Sequence, residues 1–549
     1  MFRLNALCST SLVALGLLMA LVPGAAQRPA GEIALPLFTT SNSCLACHRD
    51  LTTPHGEDVS IARHWQASMM GNAARDPYWQ AAVRREVRDH ATAQAVVEDE
   101  CSICHMPMMR TEAKRAGHEG RIFAQLPVGA VQTVEAGLAA DGVSCTVCHQ
   151  ITTEKLGTPS SFVGGFHVAP ATPPEGRPVY GPFEVDRGRR RIMRSSSGFV
   201  PAAATHLGSS EVCATCHTLI TQAFGPNGET VGELPEQVPY QEWEHSDYAE
   251  TRSCQACHMP EVAEPTPITT TLGQPRPNLS RHGFQGGNFL MPRILNRYRG
   301  ELGVTSGAAD LAGAADRAVA HLRDEAAALT IEAPALRDGT LAAEVIVTNR
   351  AGHKLPTAYP SRRAWLHIVV RDARDRVVFE SGRMEPDGRI SGNDNDADPH
   401  AVEPHREEIA APEDVQIYEA VMVDRAGVIT TGLLSAVAYT KDNRLLPLGF
   451  DKTTASALVA VHGGAREDAD FGAGHDRVRL RIPVSGSPAA PYRLQVALRY
   501  QPIAFRWARN LGEVDAAEAK RFTQYYEEMA PASSALLALA EAVVGTARH

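Results

Sequence analysis

Cysteine spacing constrains this chain more than any other feature of its sequence. Eleven cysteines are present, and ten of them fall into pairs separated by two residues, with a histidine directly after each pair. The pairs are Cys44/Cys47, Cys101/Cys104, Cys145/Cys148, Cys213/Cys216 and Cys254/Cys257, followed by His48, His105, His149, His217 and His258. Five repeats of one short pattern indicate five copies of one kind of binding site.

This spacing matches the chemistry of covalent haem attachment. Two thiols three positions apart can each form a thioether with one haem vinyl group, and the adjacent histidine then reaches the iron as proximal ligand. A zinc site needs two cysteine pairs on one tetrahedral ion and requires no histidine after each pair. Disulfides are the default in an exported chain, but they leave the histidines unexplained. The pattern therefore predicts five covalently bound haem c groups.

The residues around the motifs resemble those of a known family. Trp65 and Trp243 each lie three residues before a serine, and two motifs continue as His-Met-Pro. With Asp-Gly-Val-Ser before Cys145 and Ser-Glu-Val before Cys213, these segments look like multihaem cytochromes of the cytochrome c-554 and c-552 type over about residues 40–295. The resemblance implies a mostly helical region, closely stacked haems and irons held between two histidines. Most relatives transfer electrons, while some oxidise or reduce small nitrogen or sulfur compounds.

Second axial ligands for the irons must come from outside the motifs. His206 stands seven residues before the fourth motif, where the resemblance places a distal histidine. His282 lies in a His-Gly-Phe-Gln-Gly segment similar to the family's His-x-Phe-x-Gly. His353 lies beyond the motif region, between a glycine and a Pro-Thr turn, where it could cap a haem from a neighbouring domain. His118 and His167 are further candidates, and an ordinary hydrogen-bonded histidine is the alternative at each position.

One departure from the family concerns the residues after the Trp-x-x-Ser segments. Relatives often carry a ligating histidine there, whereas this chain has Met70 and Tyr248. The Met70 thioether could bind iron and would then raise the reduction potential of that haem. It could equally fill a gap in the core, and both interpretations stay open. We interpret Tyr248 as structural.

The first 26 residues predict export. Arg3, an apolar run over residues 12–22 and small residues at 24–26 have the order of a cleaved signal peptide. The apolar run is shorter than the roughly 20 residues needed to span a bilayer, and an uncleaved anchor is the alternative. No later stretch of the sequence is long and apolar enough to cross a membrane. We expect an exported protein, periplasmic or at the outer surface.

The charge balance bears on the kind of partner. The chain has 53 basic and 63 acidic residues and a net charge of -10, whereas nucleic-acid binding needs a basic patch. An acidic carrier suits basic surfaces on redox partner proteins, such as quinol-oxidising enzymes or other cytochromes. We therefore expect protein redox partners and no nucleic acid.

Changes of pattern divide the chain into predicted domains. After the signal peptide at 1–26, short helices and long loops around haems are expected over 27–305. An Ala-rich helical connector is expected over 306–330, and period-two patterning over 331–505 predicts an immunoglobulin-like β-sandwich. A helical tail over 506–549 closes the chain. The predicted fold class is α+β and multidomain.

Six segments of the second half alternate apolar and polar residues as strands do. They lie at residues 341–348, 365–370, 376–379, 416–423, 478–483 and 492–500. Residues 514–529 and 533–544 are predicted as the C-terminal helices. The Asp- and Asn-rich residues 387–398 lack the spacing of a helix-loop-helix calcium loop, and we interpret them as a solvated loop. Residues 170–182, rich in Pro and Gly, and the basic residues 187–194 are predicted to form an exposed loop.

Two classes of function fit the motifs. Five haems in the first half of the chain must lie close together, which makes an electron-transfer protein the first interpretation. The alternative is a multihaem oxidoreductase in which one iron lacks a protein ligand and binds a small nitrogen or sulfur compound, because the distal pocket decides the chemistry. No motif carries lysine in place of histidine, which removes one hallmark of haem nitrite reductases.

Overall fold

The computed structural model describes residues 36–170, 176–484 and 490–545. The predicted signal peptide, including Cys8, lies outside these residues, as does part of the predicted loop at 170–182. Helices and strands are both abundant in the described part of the chain, which confirms the α+β fold class. None of the helices found there is long and apolar enough to cross a membrane.

Short helices joined by long loops make up the first half of the chain. The helices are α1 (Asn42–Leu45), α2 (Ile61–Gln66), α3 (Pro77–Asp89), α4 (Gln94–His105), α5 (Pro107–Ala116), α6 (Val134–Ala140), α7 (Cys145–Cys148), α8 (Arg187–Ser197), α9 (Ser210–His217), α10 (Pro239–Glu244), α11 (Cys254–His258), α12 (Leu290–Arg297) and α13 (Ala308–His321). Strand pairs interrupt them: β1 (Arg177–Gly181) with β2 (Phe199–Ala203), β3 (Leu219–Phe224) with β4 (Thr230–Gln237), β5 (Glu261–Val262) with β8 (Leu279–Ser280), and β6 (Thr266–Pro267) with β7 (Pro275–Arg276).

Capping residues determine where helices of this half begin and end. Asp76 accepts hydrogen bonds from the backbone N–H groups at the start of α3, and Pro77 occupies its first turn, a combination that starts helices. Asp186 caps α8 in the same way, and Gly198 ends it with a φ of 77°. Residues 187–194 are therefore helical, and the predicted loop is wrong there, although no residue of α8 is buried.

The second half is mainly strands. They are β9 (Ala327–Arg337), β10 (Thr340–Asn349), β11 (Arg363–Arg371), β12 (Val377–Ser381), β13 (Glu408–Ile409), β14 (Ile417–Asp424), β15 (Ile429–Thr430), β16 (Ala436–Asp442), β17 (His475–Pro483), β18 (Tyr492–Gln501) and β19 (Ala535–Val544). One sheet has the order β13-β17-β10-β9. The other has the order β15-β14-β11-β18-β19, with β12 paired to β11 and β16 to β14. All six predicted strands are confirmed as strands.

Alternating burial explains why these segments pair as sheets. In β10, Leu341, Ala343, Val345 and Val347 are buried while the residues that alternate with them are half-exposed, which is the period-two pattern of a strand with one face on a core. Val345 pairs with Val478 of β17. Inward side chains of both sheets, Val345 and Leu498 among them, belong to one apolar cluster. The two sheets therefore share a core.

This core continues into the first half of the chain. Tyr78 of α3 and Phe289 belong to the same apolar cluster as the sheets. Helix α16 (Ala517–Met529) packs against α3: the rings of Tyr78 and Phe522 are 5.0 Å apart, and Arg84 pairs with Glu518 at 2.9 Å. Residues 514–529 are thus largely helical as predicted, together with α15 (Phe505–Leu511), but they are packed and do not form a tail.

The prediction of a helix over residues 533–544 is wrong. This Ala- and Leu-rich segment has high helix propensity, yet it forms β19 and pairs with β18 from Tyr492↔Val544 to Tyr500↔Ala535. The open edge of β18 offers hydrogen-bonding partners along the whole segment, and tertiary pairing of this kind overrides local propensity. The C-terminal segment therefore completes a sheet.

Residues 387–398 are also not a solvated loop. A short helix, α14 (Asp394–Ala397), lies within them, and Asn393, Asn395 and Asp396 are buried. The Asp396 carboxylate pairs with the buried guanidinium of Arg363 at 2.8 Å. Composition alone suggests exposure, but an aspartate can be buried when a paired charge offsets the cost of its desolvation. A buried arginine on β11 supplies that charge here. The predicted connector helix is confirmed as α13, which continues as a π-helical turn over Leu322–Ala326.

The position of β19 predicts a large loss of stability at one leucine and a small change at another leucine two residues away. Leu537 is 1% exposed and Leu539 is 48% exposed. Leu537→Ala should lower the free energy of unfolding by about 2–5 kcal/mol because it empties a core site. Leu539→Ala should change it by less than about 0.5 kcal/mol. Denaturant-induced unfolding measures both, and equal small effects would contradict the strand assignment.

Candidate functional site

All five motifs line one cavity, hereafter the chamber. Its volume is about 1530 Å³, and its wall includes the cysteines and the histidine of every motif. Pockets for one small ligand usually measure about 300–1,000 Å³. A mostly apolar wall with ten thiols and five imidazoles is therefore suited to several large apolar groups and not to one small molecule.

Local helical structure orients each cysteine pair. Three motifs end the helices α4, α9 and α11, and a fourth forms α7. In the first motif, the N–H of His48 donates to the carbonyl of Cys44 at 3.2 Å, closing one turn. Residues three positions apart in a helical turn lie on the same face, so both thiols of a pair face the chamber. All ten of these cysteines are half-buried and none forms a disulfide.

Backbone carbonyl groups fix the orientation of four motif histidines. The Nδ1–H group donates to the carbonyl of Ile268 at 2.6 Å in His48, of Ala73 at 3.0 Å in His105, of Tyr180 at 2.6 Å in His149, and of Gln285 in His258. A carbonyl oxygen only accepts, so the proton must lie on Nδ1. Each of these rings therefore keeps the Nε2 lone pair, which is the atom a metal would bind.

Burial keeps the motif histidines neutral. It lowers the pKa of His105 and of His217 to about 4, and it also lowers the pKa of His48, His149 and His258. Neutral imidazole is the form that binds metals. The rings are thus ready as ligands at neutral pH.

His282 lies opposite the third motif histidine. Its ring centre is 6.3 Å from that of His149, and the ring planes differ by 11°. Two metal–imidazole bonds of about 2 Å, with about 1 Å more from each nitrogen to its ring centre, give about 6 Å across a metal ion. His282 donates through Nδ1 to the carbonyl of Ser280 at 2.9 Å, which leaves Nε2 free. The pair has the spacing and the tautomers of two axial ligands.

His353 lies opposite the fifth motif histidine in the same way. Its ring centre is 6.1 Å from that of His258, with an interplanar angle of 12°. The Nδ1–H of His353 donates to the carbonyl of Lys354 at 2.8 Å, and burial lowers the pKa of His353 to about 4. Its carbonyl accepts from Asn349 Nδ2 at 2.8 Å. A residue from the second half of the chain thus completes a site built by the first half.

Buried ion pairs hold the segment that carries His353. Lys354 is fully buried and pairs with Asp442 at 2.7 Å. Arg444 bridges Asp442 and Glu242 at 2.8 and 2.9 Å, and Glu242 also accepts from the backbone N–H of Lys354 at 3.1 Å. Because Glu242 belongs to α10, the network joins this segment to the helices around the chamber.

The other predicted ligands occupy different places. His206 is half-buried, and its Nε2 donates to the carbonyl of Ile151 at 2.8 Å. His118 is exposed, and its ring Nδ1 lies 3.2 Å from the carbonyl oxygen of Glu119. Met70 lines the chamber, as does Tyr248. The structure therefore brings His282 and His353 to motif histidines, places Met70 at the chamber wall, and turns His206 and His118 elsewhere.

The candidate His167 and three further histidines, His55, His64 and His90, have other surroundings. His55 and His167 contact Glu264 and Glu154. His64 is half-buried on α2, and the Nε2 of buried His90 lies 3.2 Å from the Ser435 hydroxyl. Across the described residues, His48, His105 and His217 face no histidine ring at the spacing found for the two pairs.

Cysteines of different motifs contact one another. The thiols of Cys44 and Cys145, of Cys104 and Cys216, and of Cys213 and Cys254 lie close enough to shift the pKa of each other. The first motif is thus adjacent to the third, and the fourth is adjacent to both the second and the fifth. Groups attached at these thiols would therefore be neighbours across each contact.

Sequence analysis missed several polar groups of the chamber. His321 lies on α13 with its ring centre 5.8 Å from that of His258, and the buried carboxyls of Glu86 and Glu236 also line the wall. These residues lie in ordinary helix and strand patterns. No motif or spacing marks them, so only the tertiary structure could find them.

A second cluster of metal-ligating types lies in the second half of the chain. It comprises His405, Asp468 and Asp476. His405 donates through Nε2 to Asp468 at 3.0 Å, and its Nδ1 accepts from the amide groups of Gln416 and Asn443. The carbonyl oxygens of both amides accept from backbone N–H groups, which fixes their orientation. Both nitrogens of His405 are therefore used, and we interpret the cluster as structural.

Comparison with known proteins identifies a related fold. The structure is similar to that of a penta-heme cytochrome c552 from Thermochromatium tepidum, with a TM-score of 0.53 over 93% of this chain and 100% of that chain. The two sequences are 16% identical. No protein-family model matches this sequence, and no curated protein was found to match it.

Proposed function

We propose that this chain binds five haem c groups and acts as an exported multihaem electron-transfer protein. The observation that carries the proposal is the chamber, whose wall contains the thiols and the imidazole of all five C-x-x-C-H motifs. The penta-heme cytochrome with a similar fold supports it. We further propose periplasmic location and protein redox partners, which fit the predicted signal peptide and the net charge of -10.

The residues present fit covalently bound haem. Ten cysteines face the chamber without forming disulfides, so each is available for a thioether. Four motif histidines present Nε2 through a hydrogen bond from Nδ1 to a carbonyl. Haem supplies a one-electron iron couple whose potential depends on axial ligands and burial, and the chain supplies both of these.

Contacts between motifs support electron transfer across the whole chamber. The cysteine contacts connect the first motif to the third, and the second and fifth motifs to the fourth. Burial raises the pKa of the Cys148 thiol, and the charge of the Cys216 thiol adds to this shift, which supports a position of the third motif near the fourth. The first motif is thus next to the third, the third is next to the fourth, and the second and fifth are both next to the fourth. All five sites are therefore connected.

We propose His282 and His353 as the second axial ligands at the third and fifth motifs. Their spacing from His149 and His258, and their free Nε2 atoms, support this assignment. An iron held by two histidines has no open position, so its remaining chemistry is outer-sphere electron transfer.

The second candidate function, a multihaem oxidoreductase, is favoured by the polar wall near the second motif. Tyr78, Tyr359, Glu86 and Glu236 line the chamber there together with His105. Buried hydroxyl and carboxyl groups of this kind could bind and protonate a small nitrogen or sulfur compound. This function needs an open iron position at that motif.

Haem content is the first test of the proposal. We expect five haems per chain and no free thiol in the exported protein, because all ten cysteines outside residues 1–26 belong to motifs. Pyridine haemochrome quantification, intact mass and thiol titration measure these quantities. Four haems per chain, or a reactive thiol, would contradict the proposal.

Replacement of His353 by Ala should convert one low-spin iron to high-spin and leave the haem count at five. His282→Ala should do the same at a different iron, because each histidine lies opposite a different motif histidine. Electron paramagnetic resonance of the oxidised protein measures the spin states. His118→Ala is the matched control, since His118 is exposed and far from these pairs. An unchanged spectrum in His353→Ala would show that His353 is only structural.

Added small ligands distinguish the two candidate functions. For the electron-transfer protein we expect most irons to be six-coordinate, so that nitrite, hydroxylamine and cyanide perturb the spectra little. A high-spin haem at full occupancy that binds these ligands and turns over nitrite or hydroxylamine would establish the oxidoreductase instead. The polar wall near His105 would then be the region to mutate.

A further inference from the structure

Two buried carboxyl groups lie on the chamber wall beside the second motif. Glu86 of α3 and Glu236 of β4 are 5% and 7% exposed. Both line the chamber with Cys101 and Cys104. Burial raises the pKa of the Cys101 thiol, and the charges of Glu236, Glu86, Glu100 and Glu98 add to this shift. The proposed electron-transfer function leaves Glu86 and Glu236 without a role.

Neutral groups hold these carboxyls. The backbone N–H groups of Leu433 and Leu434 donate to Glu86 at 2.8 and 3.3 Å. The hydroxyl of Thr221 donates to Glu236 at 2.6 Å. Within the described residues, neither carboxylate forms an ion pair with lysine or arginine. A buried charge without a paired cation is costly, so this environment favours the protonated form of each group.

The charges around Glu86 leave it poised between its two forms. Burial raises its pKa to about 7, and Arg85 opposes this shift in part while Asp89 adds to it. Burial likewise raises the pKa of Glu236 to about 7, and the charge of Glu86 contributes. The Nε2 of His90 lies 3.9 Å from Glu86. Both carboxyls are therefore set to change protonation near neutral pH.

Other titratable groups face the same space. The rings of Tyr78 and Tyr359 lie 5.8 Å apart, and burial raises the pKa of both hydroxyls. Burial also raises the pKa of half-buried Glu100 on α4. The tyrosines stay neutral throughout the physiological range. Charge changes near the second motif thus fall mainly on Glu86 and Glu236.

We propose that Glu86 and Glu236 form a proton-binding pair that takes up a proton when the haem attached at Cys101 and Cys104 gains an electron. The proposal rests on the proposed haem binding. One electron from a redox partner protein, or from an electrode, converts ferric to ferrous iron and removes one positive charge from the chamber. One carboxylate then binds one proton from water to become a neutral carboxyl, so the net charge of the chamber is unchanged.

The charge of the carboxyl pair determines the direction in which the reduction potential changes with pH. At high pH the pair is anionic and stabilises ferric iron, so the reduction potential of this haem is low. At low pH the pair is neutral and the potential is high. Complete coupling of one proton to one electron changes the reduction equilibrium tenfold per pH unit, or about 59 mV.

Spectroelectrochemical titration of the five-haem protein tests the proposal. Potentials would be measured from about pH 5 to about pH 9, on both sides of the carboxyl pKa values. The variants are Glu86→Gln, Glu236→Gln and the double variant, because glutamine keeps an oxygen that accepts from the Leu433 N–H or from the Thr221 hydroxyl. Glu98→Gln is the matched control: Glu98 is buried on α4 but bonded to Gln94 and to the Phe123 N–H outside the chamber.

We expect one haem of the native protein to lose potential as pH rises, with the slope retained in Glu98→Gln. In the double variant that potential should become independent of pH and stay near the native low-pH value. Redox-difference infrared spectra should show a protonated-carboxyl band that the double variant lacks. A flat native profile without this band, or a slope retained in the double variant, would overturn the proposal. Haem quantification in the same samples distinguishes failure of this proton coupling from failure of haem binding. If the double variant does not fold, the presence or absence of the protonated-carboxyl band in the native infrared spectrum tests the proposal.

Discussion

The hydrogen bond from a motif histidine to a backbone carbonyl is the constraint on which the first half of the fold depends. It commits Nδ1 and leaves Nε2 for the chamber, so it fixes both the tautomer and the orientation of the ring. Two of the carbonyls belong to Ile268 and Gln285, far along the chain from the rings of His48 and His258. Long loops that return to distant motifs are therefore a requirement of the site. They also explain why so little of this half forms long helices.

The second half of the chain does more than cover the first. Its sheets share an apolar core with α3, and the network of Lys354, Asp442 and Arg444 reaches Glu242 on α10. Pairs buried this deeply tolerate loss of one partner poorly, because the other charge would remain in a medium of low dielectric constant. The network thus gives His353 a rigid position opposite His258. A strand-rich region, which by itself suggests no redox role, thus supplies one of the two facing histidine rings.

How much the sequence predicts depends on whether the information is local. The motifs, the six strands and the contexts of His282 and His353 are local patterns, and the structure has strands and facing histidines where these patterns indicated them. The segment after residue 533 was misread because the free edge of β18 is not visible in its own residues. The hydrogen bond from the Nε2 of His206 to the distant carbonyl of Ile151 is likewise not visible in the residues around His206. The raised pKa values of Glu86 and Glu236 depend on their burial and on neighbouring charges, which the sequence does not show.

The make-up of the chamber wall has a consequence for how the molecule is assembled. The wall runs from Ser43 near the start of the described chain to Ile503 near its end, and the ten cysteines on it are only half-exposed. A planar macrocycle must approach both thiols of a motif to be joined to them. Residues of the later half of the chain, Tyr500 and Ile503 among them, form part of the same wall. The proposed haem binding therefore predicts an order of assembly, in which the macrocycles are attached while the chain is extended and the later half of the polypeptide folds afterwards.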